Sequence, residues 1–202
     1  MNFRYVFLAG ILVAASGQQS RADCLSDFNG INRHRPEAAR YAVEVVADVL
    51  DPDDKVVKHM ASSSLFDMSD GVRMKTAGLN TQADFIIIGD EGWNLAKGAW
   101  TPMPPEQLKQ ALEGVVADRY VFDKDARDFE CPGEAAFEGK AYRAFVFRQS
   151  VGTLDTRVTA YFDPSSYLPV ATVSDAEIND YRLAVTTRYR FDPAIRIERP
   201  EE

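Results

Sequence analysis

Two histidines and two cysteines are the whole stock of imidazole and thiol in this 202-residue chain, which bounds its chemistry from the start. His59 alternates with Lys58 and Met60 and precedes Ser62-Ser63-Ser64, so a Ser/His nucleophile pair is conceivable there. Neither histidine lies near a Gly-x-Ser-x-Gly elbow or in a metal-ligand spacing. His34, between Arg33 and Arg35, reads as a solvated residue. Asp51, Asp53 and Asp54 lack the ligand spacing and closing glutamate of a calcium loop and read as a solvated turn. Asp90 and Glu91 fall at a hairpin tip, exposed, without the contrasting environments that separate two carboxyl pKa values for acid and base roles. The residues therefore predict a protein that is not an enzyme, with no catalytic group, no metal and no cofactor.

The N-terminus carries an address. Arg4 supplies a positive start, Tyr5 to Ala15 an apolar run, and Ser20-Arg21-Ala22 the small residues of a cleavage site, so residues 1–22 read as a signal peptide ahead of a mature chain beginning at Asp23. The run is about half of the roughly 20 residues that span a bilayer, and no later stretch is longer, so no transmembrane segment is expected. Lipid attachment at Cys24 is disfavoured because Arg21 and Asp23 stand where that processing site needs small or aliphatic residues. In an oxidising compartment Cys24 and Cys131 most simply form one disulfide. A loop of that length gives about 4 to 5 kcal/mol on the chain-entropy estimate. A redox or metal role would need a close Cys-x-x-Cys spacing, which is absent.

Residues 23–202 suffice for one domain, and 46% hydrophobic with 27% charged residues is a globular composition. The leader holds Arg4 and Arg21 and no acid, so its removal takes the formal net charge from −8 to −10. That surface repels phosphate backbones, and nucleic acid is not an expected partner.

The positioning elements are mostly strands. Tyr41, Val43 and Val45 alternate with Ala42, Glu44 and Val46 before the turn Asp51-Pro52-Asp53-Asp54, although Pro36 to Arg40 could open a helix. Lys55–Met60, Leu65–Met68 and Val72–Thr76 read as short strands separated by turns containing Ser and Asp/Gly. Phe85 to Ile88 is a buried strand turned by Gly89 to Gly92 into Trp93-Asn94-Leu95, with a second tip at Lys97-Gly98 before Trp100. After Pro104-Pro105 the period changes, and Leu108, Ala111, Leu112, Val115 and Val116 share one helical face, weakened by Gly114. Strands resume at Tyr142–Arg148, Thr156–Phe162 and Val170–Ser174. In the last strand Leu183, Val185, Thr187, Tyr189 and Phe191 take the buried side, and Ala184, Thr186, Arg188 and Arg190 the wet one.

Three stretches together resemble the LolA-like fold group, which includes lipoprotein-sorting factors and the mycobacterial LppX/LprG proteins. The first is Gly89-Asp90-Glu91-Gly92-Trp93 with Gly98-Ala99-Trp100 and the proline-led helix. The second is Cys131-Pro132-Gly133-Glu134 with Phe137-Glu138-Gly139-Lys140-Ala141-Tyr142. The third is Tyr161-Phe162-Asp163-Pro164, Leu168-Pro169-Val170 and the ending Tyr189 to Pro200. Two departures stand out: Tyr167 where relatives often have glycine, and a segment 23–40 short for a long covering helix.

The resemblance implies an α+β fold: a strongly curved antiparallel sheet, an unclosed half-barrel, with helices covering its concave face. It further implies a location in the periplasm of a Gram-negative envelope and an apolar cavity for a lipid or the acyl chains of a lipoprotein. Candidate cavity residues are Phe85, Ile87, Trp93 and Trp100, then Leu108 and Leu112 of the helix, then Phe145, Phe147, Tyr161, Leu183 and Val185 of the later strands. The alternative is an envelope scaffold or interaction module with the same fold and a filled interior.

Overall fold

A computed structural model of the chain describes residues 21–78, 84–113, 115 and 118–201. Most of the predicted leader lies outside them, as do Gly114 and Val116 of the predicted helix. The strands, in chain order, are β1 (Arg40–Leu50), β2 (Val56–Asp67), β3 (Arg73–Gly78), β4 (Phe85–Ile88), β5 (Glu91–Ala96), β6 (Ala99–Pro102), β7 (Arg127–Phe137), β8 (Lys140–Val151), β9 (Leu154–Phe162), β10 (Pro169–Ile178) and β11 (Tyr181–Phe191). The helices are α1 (Arg21–Ile31) and α2 (Pro105–Glu113). All neighbouring strands are antiparallel, in the order β6-β5-β4-β3-β2-β1-β11-β10-β9-β8-β7.

This order is a meander cut between β6 and β7 and rejoined through β1 and β11. The sheet stays open, as an unclosed half-barrel does. Two strands consecutive in sequence therefore lie at opposite edges, and residues 103–126 must cross from one edge to the other.

Alternation sets the two faces. Register places Val43, Tyr189 and Ser64 on one face, and Glu44, Arg188 and Ser63 on the other. Both helices lie on the first, concave face. Cys24, Phe28 and Ile31 recur at helical spacing along α1 and bring Phe28 among Phe129, Phe145, Phe147 and Phe162, with ring centroids 5.2 to 6.0 Å away. Phe28 has no exposed surface. The Cys24–Cys131 bridge, with a Cα separation of 5.6 Å, ties this helix to β7. At the other end α2 lays Leu108 and Leu112 on Met74, Ile87 and Met103. Gly92 makes room for it: a Cβ there would stand 3.1 Å from Leu108 and Met103. On the convex face Ile195 and Ile197 of the C-terminal tail pack over Ala42 and Ile86, beside Trp93 and Trp100. Arg199 stacks on Trp93 at 5.2 Å and pairs with Glu91.

The structure departs from the sequence expectations in two places and decides a third between its alternatives. Ser62-Ser63-Ser64 is the middle of the single strand β2, its Ser64 hydroxyl bonded to Thr76 at 2.8 Å across to β3, because alternating serines satisfy a two-faced ladder as readily as a turn. Pro36–Ala38 forms one 3-10 turn and the chain is extended from Arg40 onward. Arg127–Phe137 is a full strand although Cys131-Pro132-Gly133 carries turn residues, which the ladder absorbs as register shifts on either side of Glu130.

Two local features yield measurable outcomes. Tyr167 sits at φ 56°, a left-handed conformation that a Cβ disfavours, in the turn held by Asp163. This explains glycine as the residue expected there by the resemblance. Tyr167→Gly should raise the unfolding free energy by up to about 1 kcal/mol in urea titration, the relief of strain exceeding the entropy glycine adds to the unfolded chain. Asp67, nearly buried, accepts from Arg40 Nε at 2.9 Å and from the Ser69 amide at 3.1 Å and its hydroxyl at 2.5 Å. Burial alone would push its carboxyl up, but these donors outweigh it and hold the pKa below the usual range. Its stabilisation is thus complete above the unfolded-state value of about 3.9 and is lost as pH falls through the lower folded value. Asp67→Asn should be less stable than wild type at pH 7, and the gap should close as acid denaturation proceeds below about pH 4.

Candidate functional site

The crossing segment roofs a trough over the middle of the concave face. Val115, Arg119, Tyr120, Val121 and Phe122 form the roof. Across the floor come Phe66 of β2, Tyr41, Val43 and Val45 of β1, Thr187 and Tyr189 of β11, Thr172 and Ser174 of β10, Val158 of β9 and Gln149 of β8. The trough has a volume of about 310 Å³. Helix α1, with Phe28 among the strand phenylalanines, fills one flank and α2 the other.

The roof is fastened mostly through side chains because it has no strand neighbour among the described residues. Fully buried Asn32 pairs with Val121 as a strand would, donating to its carbonyl at 2.9 Å and accepting from its amide at 2.8 Å. The His34 amide donates to Asp118 O at 2.9 Å, and the Tyr189 hydroxyl to Tyr120 O at 3.4 Å. The Tyr120 hydroxyl donates to Ala38 O at 3.1 Å and accepts from the Arg35 amide at 3.0 Å. Arg119 pairs with Asp123 and reaches Asn29 Oδ1 at 3.4 Å, so its charge is matched beside the trough.

Burial pushes the Tyr41 and Tyr189 hydroxyls far above the usual phenol range, and raises Tyr120 despite the opposing Arg35 amide. All three are neutral hydrogen-bonding groups at physiological pH. None can act there as a base.

The predicted cavity residues separate into four places. Leu183 and Val185 continue the concave face of β11, half-buried, beyond Thr187 towards the strand's start. Phe85, Ile87, Leu108 and Leu112 pack together under α2, and Phe145 and Phe147 lie fully buried under α1. Trp93 and Trp100 are on the convex face under the C-terminal tail, and Tyr161 is there too, stacked on Phe137 at 5.0 Å. None of the eleven lines the trough. Its lining includes Thr172, Ser174, Thr187 and Gln149, small or polar residues that a search among aromatics passes over.

The chemistry-bearing side chains lie elsewhere. His59 Nδ1 faces Asp48 Oδ1 at 2.6 Å across the exposed convex face, whereas Ser62 and Ser64 point to the concave one and Ser63, on the convex face, is four residues along the strand, roughly 13 Å away. The arrangement supplies a cross-strand contact and brings no serine hydroxyl of that run to the imidazole. His34 is part-buried, not solvated: Nε2 meets the Tyr41 hydroxyl at 3.1 Å and its ring packs on Tyr120 at 4.5 Å. Asp51 Oδ1 accepts the amides of Asp53 and Lys55 at 2.9 and 3.0 Å, making the acidic cluster a self-bonded turn.

No protein-family model matches this sequence. No curated protein matches it either. Solved structures do. Lipoprotein LppX of Mycobacterium tuberculosis superposes with a TM-score of 0.51 at 9% identity, over 89% of this chain and 100% of that one. LprF of Mycobacterium bovis follows at 0.48 and 12%, over 92% and 100%. A LolA superfamily protein of Nitrosomonas europaea reaches 0.37 and 9%, over 85% and 92%. The LppX match identifies the fold, and it is the one the sequence motifs resemble.

The roof's anchorage is testable. Asn32→Leu keeps the approximate volume but strands the Val121 amide and carbonyl, and should cost about 2 to 4 kcal/mol in urea unfolding. Native-state hydrogen exchange at Val121 should accelerate, while exchange in β9 and β10 follows only the global change.

Proposed function

We propose that this protein is an exported envelope carrier, not an enzyme, that holds an acyl chain of a lipid or acylated protein in the trough beneath Val115 and Arg119 to Phe122. The supporting observation is the trough itself, on the concave face of an LppX-like half-barrel. Its 310 Å³ falls at the lower end of the range for small-molecule sites. At roughly 30 Å³ per liquid-packed heavy atom it takes about ten, the size of a single acyl segment. Ten buried methylenes would contribute about 8 kcal/mol before ordering costs are subtracted. Val43, Val45, Phe66, Val115, Val121 and Phe122 supply the apolar contacts.

Export is supported by the leader pattern in residues 1–22 and by the Cys24–Cys131 bridge, which an oxidising compartment maintains. Among the described residues no helix is long and apolar enough to cross a membrane.

Native mass spectrometry of protein recovered from a bacterial periplasm should reveal a co-purified lipid, and membrane lipids should displace a bound fluorescent fatty acid. Val45→Trp, which fills the floor of the trough, should weaken fatty-acid binding at least tenfold with a thermal midpoint within a few degrees of wild type. Wild-type protein that carries no lipid and fails to bind the fluorescent fatty acid would refute the carrier role.

A further inference from the structure

The trough is divided lengthwise by chemistry. On the β1 and β2 side its floor is Val43, Val45 and Phe66 with Tyr41, whereas on the β8 to β11 side Thr187, Thr172, Ser174 and Gln149 predominate beside Val158 and Tyr189. Thr187 and Thr172 are register partners, so their side chains stand side by side on neighbouring strands. Gln149 is 8% exposed, and its Oε1 is buried with no hydrogen-bond partner among the described residues. A buried carbonyl left without a donor costs about as much as a lost hydrogen bond, and native proteins rarely tolerate it. Here the unsatisfied atom belongs to a side chain lining the cavity.

We infer that the trough selects an amphiphile: an aliphatic chain of about ten heavy atoms bearing a neutral hydrogen-bond donor, an amide N–H or a hydroxyl, that docks on Gln149 while the chain lies against Val43, Val45 and Phe66. Neutrality follows from the surroundings. Arg119, the cation in the lining, is already matched by Asp123, and the three phenols carry no charge. Inside the trough an anionic head would have no unspent cation to meet, so a fatty acid can bind only with its carboxylate left in water at the mouth, and a cationic head would find no carboxylate among the lining residues. This rests on the carrier reading and specifies its ligand class.

Calorimetric titration with two probes of nearly equal chain length tests it: decanamide, which offers a donor, and methyl decanoate, which offers none. Wild-type protein should bind decanamide about tenfold or more tightly than methyl decanoate. Gln149→Leu should reduce that ratio to less than twofold, with methyl decanoate bound as tightly as by wild type or tighter. Should Gln149→Leu fail to fold, Gln149→Met is the second variant, with the same expectation. 1-Decanol in place of decanamide separates a hydroxyl donor from an amide, and a tenfold preference for either supports the inference. If wild type binds both decanamide and 1-decanol no better than methyl decanoate, the amphiphile assignment is overturned while the carrier reading stands. If the preference survives in Gln149→Leu, the role of Gln149 is overturned. If neither these probes nor the fluorescent fatty acid binds wild type, both readings fall together.

Discussion

The break in the meander between β6 and β7 governs the rest of the molecule. Because β1 pairs with β11, the two strands that flank the break are driven to opposite edges of an open sheet, and the chain between them has to cross the concave side. A segment crossing there has polar backbone and no ladder to satisfy it, and each buried amide or carbonyl without a partner carries a penalty. Asn32, just past the end of α1, supplies them to Val121, and Tyr189 of β11 to Tyr120, while the Tyr120 hydroxyl ties the segment back to Arg35 and Ala38. The roof is thus held above the floor by discrete hydrogen bonds together with the packing of Val121 into the Phe28 cluster and of Tyr120 on Tyr41 and Phe191. Between those contacts the trough remains open.

What occupies the concave side depends on side-chain size along the strands. Under α1 the inward positions of β7 to β9 include Phe129, Phe145, Phe147 and Phe162 with Val158 and Ala160, and Phe28 closes among them to make a solid core. Under α2 they are methionine and isoleucine, with Gly92 permitting close approach. Between the two, Val43, Val45, Thr187, Thr172 and Ser174 leave room beside the larger Tyr41, Phe66 and Tyr189, and no described helix contributes a knob to fill the gap. The disulfide and the Phe28 cluster fix α1 at its own end of the sheet. The trough follows from small floor residues between two large-residue clusters.

Much of this was legible in the sequence, and the losses have physical causes. Strand alternation in β1 and β11 and the helical period after Pro105 were strong because burial on one face imposes a period on residue type. The disulfide followed from two cysteines and a leader. By contrast α1 presents only Cys24, Phe28 and Ile31 inward, too few for its period to stand out. The strand β7 was masked by Cys131-Pro132-Gly133, residues that bulges and turns share. Trp93 and Trp100 announced burial correctly, but an alternating strand does not say which face is concave, and the C-terminal tail covers them on the convex side. A cavity is defined by missing volume, so the small and polar residues Val43, Val45, Thr172, Ser174 and Thr187 mark its floor as much as the aromatics Tyr41, Phe66 and Tyr189 do.

The polar half of the trough bears on the choice between a carrier and a filled scaffold. In a scaffold that only packs, position 149 would gain from an apolar side chain, since a buried amide without a partner forfeits its hydration and returns nothing. The two preceding inward positions on the same strand, Phe145 and Phe147, are fully buried and follow that rule. Gln149 breaks it two residues later, where the phenylalanine core ends and the trough begins. Violations of packing logic concentrate where a protein meets something other than itself. The switch from phenylalanine to glutamine along one strand face therefore favours a floor shaped for a ligand with a polar group over an interior shaped only for its own side chains.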